Sequence, residues 1–429
     1  MTNNFNQLIK SILELYNNKK FKEALIKINT LEKNNLVNPI IFNLKGLILF
    51  SLNLYNDALI CFEEALISID KKNLKNNDLL ISILNNKGMT NLNFGNFSKA
   101  IDDFNKILKI NPNFFQAYNH LGVAYENLGD REKSIKYFIK SNNLNDNYVP
   151  AKTNLIKALT FYKTISHEPN NILTTSLKLN ENNFYYDPKN QISQKSIFST
   201  LKKANSIIQK NLGEISSKDT QTFRRGNRNL NCGRHKKIFK EKKIISQFCF
   251  NCFKIVIEPK NLIELIKLHI LFDNFEFKNG NPRKCMIEAR KNVTGIYKGY
   301  IYCNSLDEVE QILEDFLRCI KINISPDINY QIKRGCTEYL DVYPEYKNVK
   351  NLMNYKEEWK IHEEEIEKKY PYLKANDIDK STIAGISLRD ILTIRNWIYF
   401  AYLKNDKSYQ LVSENLYKND FIKNILNDN

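Results

Sequence analysis

FQAYNHLGVAYENLGDREKSIKYFIKSNNLNDNY, residues 115–148, is the stretch that decides how this chain begins. Its small and large residues recur upstream. Gly122 has counterparts in Gly88 and Gly46, and Phe138 in Phe104 and Phe62. Ala100 and Ala58 mark the same position in two earlier units, Ile81–Phe114 and Pro39–Lys72. A degenerate first unit, Phe5–Asn38, keeps Ala24 and Leu31, and the extra residues Asn73–Leu80 lengthen one connection. Self-similarity at this length signals a stack of helical hairpins. The glycines and alanines let two helices press together, and the phenylalanines fill the gap between hairpins. A single hairpin cannot bury its apolar face, so stacking is obligatory. Val149–Phe161 reads as a final helix closing the stack.

Tyr118, Leu121, Gly122, Tyr125, Ser134, Phe138 and Ser141 stand where the tetratricopeptide repeat family has its aromatic, Leu, Gly, Tyr, small, aromatic and small positions. The preceding units resemble the family through Leu84, Gly88, Ala100, Phe104 and Pro112, and through Phe42, Gly46, Ala58, Phe62 and Ala65. The resemblance implies an α-solenoid over residues 5–161 and a protein or peptide partner. In that family the groove is lined by first-helix positions just before the Gly, here Asn43, Asn85, Asn86, Asn119 and His120. An Asn amide offers both donor and acceptor, so a ladder of them suits the backbone of an extended peptide. Leu47, Met89 and Val123 follow the glycines where repeats that grip a C-terminal carboxylate carry Asn. That departure argues against such a mode.

The chain has 429 residues and a net charge of +17. The excess is local: residues 163–260 hold 19 Lys+Arg against 7 Asp+Glu, and residues 261–429 hold 25 against 26. A concentrated basic segment suits an acidic partner such as nucleic acid, and equally a solvated linker. No stretch resembles an export signal or an apolar membrane span, so the expectation is a cytoplasmic protein with reduced thiols. Residues 1–162 are expected to be the repeats with their closing helix. Residues 163–230 read as a flexible basic linker apart from a helix at Ser196–Leu212, ending in Arg224, Arg225 and Arg228.

Cys232-Gly-Arg-His235 and Cys249-Phe-Asn-Cys252 follow. Two ligand pairs, each separated by two residues, are what a closed structural zinc site takes, with a Lys-rich loop between them. A redox pair at Cys249 and Cys252, or plain buried thiols, are the other readings. Beyond them, patterning gives a strand at Phe253–Glu258, a helix at Asn261–Phe272, strands at Lys284–Arg290 and Lys298–Cys303 joined through Asn292 and Gly295, a helix at Ser305–Ile320 and a strand at Ile328–Arg334. This βαββαβ order is ferredoxin-like, so residues 231–348 are expected to form an α+β domain after the zinc knuckles. Ile255, Ile257, Cys285, Ile287, Ile301, Cys303 and Ile332 should face the helices; Glu288, Arg290, Lys298, Tyr300, Tyr302 and Lys333 should line the open face. Lys298-Gly-Tyr300-Ile-Tyr302 resembles half of the third-strand motif of RNA-recognition domains, in which a basic residue and two aromatics bind phosphate and stack bases. Ile301 in place of a small residue, and a first strand without an outward aromatic, depart from it.

Residues 349–429 read as helical: a charged helix Asn351–Lys369, then one capped by Ser387 and Asp390 with a core stripe of Ile391, Ile394, Trp397, Ile398 and Tyr402. Enzyme signals are sparse. His362-Glu363 lacks the second His of a metalloprotease helix, and Asp377-Ile-Asp379 has the acid spacing of metal-dependent sugar transferases. The leading reading is an adaptor with a zinc-stabilised second binding module. An RNA- or DNA-binding protein and a transferase-like enzyme are the alternatives.

Overall fold

The computed structural model describes residues 2–33, 38–69, 77–165, 168–181, 186, 191–224, 226, 228–291, 293–350, 352–370, 373 and 381–427. Arg225, Asn292, Asn351 and the Asp377–Asp379 pair lie outside them. The chain divides into two compact units, Met1–Asn154 and Leu155–Asn429.

In the first unit the helices pair as α1 (Thr2–Asn17) with α2 (Phe21–Lys33), α3 (Pro39–Ser51) with α4 (Tyr55–Ile67), α5 (Asn77–Phe94) with α6 (Phe97–Ile110), and α7 (Phe115–Leu128) with α8 (Arg131–Leu144). α9 (Val149–Ala158) follows. Each hairpin turns through one left-handed residue: Lys19, Asn53, Gly95 and Gly129. The fit inside a hairpin is strict. A Cβ on Gly46 would lie 2.5 Å from the Phe62 ring, and one on Gly122 would lie 2.4 Å from Phe138. The degenerate first hairpin solves the same problem differently. One period upstream of Gly46 and Phe62 stand Ile12 and Ile28, both fully buried in one cluster. Two medium side chains stand where the later hairpins have one absent and one large.

The second unit contains a five-stranded antiparallel sheet. Its strands are β1 (Gln221–Arg224), β2 (Phe253–Glu258), β3 (Arg283–Ile287), β4 (Tyr297–Cys303) and β5 (Asn329–Arg334), in the order β1-β3-β4-β2-β5. Helices α13 (Leu262–Asn274) and α14 (Leu306–Asn323) pack on one face. Ser305 caps α14 by accepting the Glu308 N–H, and Asp307 and Glu308 meet the positive end of the helix dipole. Ile255, Ile257, Cys285, Ile287, Ile301 and Cys303 are buried as alternation requires, whereas Ile332 on edge strand β5 stays half-exposed.

Three sequence expectations change. Residues 163–230 contain α10 (Asn171–Glu181), α11 (Gln194–Leu212) and the edge strand β1, so the described part of this stretch is built into the unit. The reason is polar and non-local. Asn396 donates to the Ser217 and Asp219 carbonyls at 2.8 and 2.9 Å, Trp397 donates to the Thr220 carbonyl at 2.9 Å, and Arg389 pairs with Asp219 at 2.8 Å. Next, the lysines between the cysteine pairs form α12 (Cys232–Lys242), not a loop. Finally, the charged helix expected from Asn351 is α15 (Lys360–Lys369), preceded by one tight turn at Glu357–Trp359. The Ser387–Asp390 pair forms a reciprocal capping box on α16 (Leu388–Leu403). This helix is buried almost all round, although Tyr402 from its expected core stripe is 45% exposed. α17 (Asp420–Asn427) ends the described chain.

Candidate functional site

The groove positions fall on successive first helices of the hairpins, which are neighbours in the stack. Asn43 on α3 accepts a hydrogen bond from the Asn86 amide on α5 at 2.9 Å. Asn119 on α7 accepts one from Asn154 on α9 at 3.0 Å. These are two rungs of an amide ladder, the first linking one hairpin to the next and the second linking the last hairpin to α9. Between them lies Asn85, whose Oδ1 is buried with no hydrogen-bond partner among the described residues. His120 stacks on Phe104 at 5.1 Å, and burial lowers its pKa to about 4, so it is neutral at pH 7. Each paired amide spends one donor or one acceptor and keeps the rest of its capacity. Asn154 was not among the residues singled out from sequence; its signal is its place one period after His120 in the closing helix.

The proposed nucleic-acid residues are only partly brought together. Arg224 is the clearest correction. It is buried, with Nε 2.5 Å from Asp273 and its two terminal nitrogens each 3.1 Å from Asp390. Burial opposes ionisation of Asp390, yet Arg224 and His269 hold its carboxyl down at about 2. Arg228 pairs with Glu308 at 3.1 Å, Arg290 with Glu288 at 2.7 Å, and Lys298 with Glu258. Those cations are already neutralised. Tyr300 is different. The Lys254 ammonium lies 5.7 Å and the Lys284 ammonium 5.0 Å from its ring centre. Neither lysine has an ion pair among the described residues, and burial with nearby Lys254 and Lys236 lowers Lys284 to about 8. The register sets Lys284 opposite Tyr300 and Lys254 opposite Tyr302. Alternation along β2 and β3 was the available signal for both lysines.

The cysteine segment packs on a small aromatic core of Phe250, Tyr339, Tyr346 and Trp359. His235, the expected metal ligand, is buried, stacks on Phe248 at 5.1 Å and has Arg234 and Glu363 as charged neighbours. Among the described residues no group of three or more His, Cys, Asp or Glu side chains stands in a metal-holding arrangement. The expected set Cys232, His235, Cys249 and Cys252 is therefore not assembled. The thiol within hydrogen-bonding reach of Cys249 is Cys336. Its sequence signal was only a lone cysteine beyond the last strand.

Residues 81–114 and 115–148 each match the tetratricopeptide repeat family. These residues are tetratricopeptide repeats, and no family match covers the C-terminal region. Solved structures similar to the chain include tetratricopeptide repeat proteins. One is YrrB, described as having an unusual peptide-binding site, at 19% identity over 34% of this chain and 71% of that one, with a TM-score of 0.30. Another is MamA from Desulfovibrio magneticus, at 19% identity over 36% of this chain and 82% of that one, with a TM-score of 0.31. A third is the first repeat domain of Spaghetti bound to an HSP90 peptide, at 21% identity over 28% of this chain and 90% of that one, with a TM-score of 0.25. No curated protein matches the chain. No helix among the described residues is long and apolar enough to cross a membrane.

Proposed function

We propose that this protein is an adaptor whose repeats hold an extended segment of another protein. The observation that carries the reading is the pair of amide rungs, Asn43–Asn86 and Asn119–Asn154, with the unsatisfied Asn85 oxygen between them. A buried acceptor without a partner costs about 1–3 kcal/mol, and a peptide N–H entering the groove removes that cost. The remaining amide donors and acceptors address the peptide backbone, so recognition favours extended chains over a fixed side-chain motif. Selection from a displayed library of linear peptides on the full-length protein tests this. Enrichment of peptides whose capture is lost in the Asn85→Ala, Asn119→Ala variant supports it. Enrichment that survives both changes sinks it.

The second unit is a separate binding module in this reading. Its β2-α13-β3-β4-α14-β5 order, with β4 between β3 and β2, supports a ferredoxin-like arrangement extended by β1. Tyr300 with the uncompensated Lys254 and Lys284 favours an anionic ligand that presents a flat ring, such as single-stranded nucleic acid. Filter binding of single-stranded RNA and of heparin at two salt concentrations separates stacking from charge. Stacking predicts that Tyr300→Ala weakens RNA and spares heparin. Equal losses, or none, leave only the repeats as a binding surface.

A further inference from the structure

The sheet topology brings together cysteines that are far apart in sequence. β2 and β5 are antiparallel neighbours with Phe253 opposite Arg334, so the chain just before β2 meets the chain just after β5. The Gly335 N–H donates to the Cys252 carbonyl at 2.9 Å. A Cβ on Gly335 would lie 2.3 Å from the Cys252 sulfur, so that thiol fills the space a side chain would need. One residue further on, Cys336 stands beside Cys249, whose sulfur lies 3.3 Å from the Tyr339 hydroxyl. Cys232 opens α12 and lines one cavity with Tyr302 and Lys284.

We propose that Cys232, Cys249, Cys252 and Cys336 are the ligands of one structural zinc ion, with Cys336 in the place that spacing alone gives to His235. Four thiolates make a closed tetrahedral set. Such a set around a divalent cation carries two net negative charges. Lys236, which also pairs with Glu338 at 3.1 Å, stands beside it to offset them. Among the described residues the thiols do not yet stand in one ligand set, so metal binding would draw the four sulfurs together. The small aromatic core gains from a staple, because Ile238, Cys249, Tyr339 and Trp359 come from separate segments of the chain. His235 stays in its stack on Phe248.

The test uses the full-length chain purified under reducing conditions. Elemental analysis should find about one zinc per chain. Cobalt in its place should give the absorption of a tetrahedral all-thiolate centre. Cys336→Ser should lose the metal, and His235→Phe should keep it. Thiol alkylation read by mass spectrometry covers the case in which a variant fails to fold. In the unmodified protein the four cysteines should be protected together and become reactive together on chelation, while Cys319 should not respond. A folded, metal-free chain overturns the proposal. So do bound iron, a Cys249–Cys336 disulfide, or metal that survives Cys336→Ser and is lost in His235→Phe.

Discussion

In the repeats, each of three glycines meets an aromatic ring on the next helix at one fixed spacing. In the second unit, Arg224 reaches Asp390 across 166 positions and no spacing repeats. The first unit is stabilised by a local rule used several times. The second is stabilised by single long-range contacts, each used once. Damage should therefore be graded and tolerable in the repeats, and concentrated at a few residues in the second unit.

The largest expected effect tests the second half of that contrast. Arg224→Ala leaves Asp273 and Asp390 buried without their cation, which should cost about 3–5 kcal/mol. Denaturant unfolding followed through the second unit should show it, and a loss below about 1 kcal/mol would mean that water reaches the site.

Acid should act on the same network. Burial, with Arg224 adding to it, lowers the buried His269 from 6.5 to about 4. The unfolded chain therefore binds the extra proton first, and stability rises with pH between those values. It should fall by roughly 3 kcal/mol as pH drops from 6.5 to 4. His269→Asn should flatten that part of the pH profile; an unchanged slope would assign it to other groups.

Gly122→Ala should cost about 1–3 kcal/mol, since the new methyl meets Phe138 at 2.4 Å and the core must move. The smallest stability effect is the most diagnostic. Ile28→Phe overpacks the first hairpin and Ile12→Gly empties it. Together they recreate the packing of the later hairpins, so the double variant should beat the sum of the two by about 1 kcal/mol. Additivity would mean that the first hairpin does not obey the rule.

The same contrast explains what could be read in advance. The hairpins were legible because Gly46, Gly88 and Gly122 recur with their partners at a constant interval. The strands were legible from alternation: Phe253–Glu258 appears with the same bounds in the structure. Residues 213–220 were not, because their order comes from Asn396, Trp397 and Arg389, which no local pattern announces. Arg224 looked like part of a basic run because its two acidic partners lie on α13 and α16. In the groove, Asn43, Asn86 and Asn119 were legible as positions, but their pairing into rungs needed the stack itself.

The measurement that bears most directly on the adaptor reading is calorimetric titration of one library-selected linear peptide into the full-length protein and into the Asn43→Ala, Asn119→Ala variant. Each lost rung should remove about 0.5–1.5 kcal/mol of binding, so affinity should fall about fivefold or more while circular dichroism shows the helices retained. An unchanged affinity in a folded variant would contradict the account, because the peptide would then be bound by something other than the amide ladder.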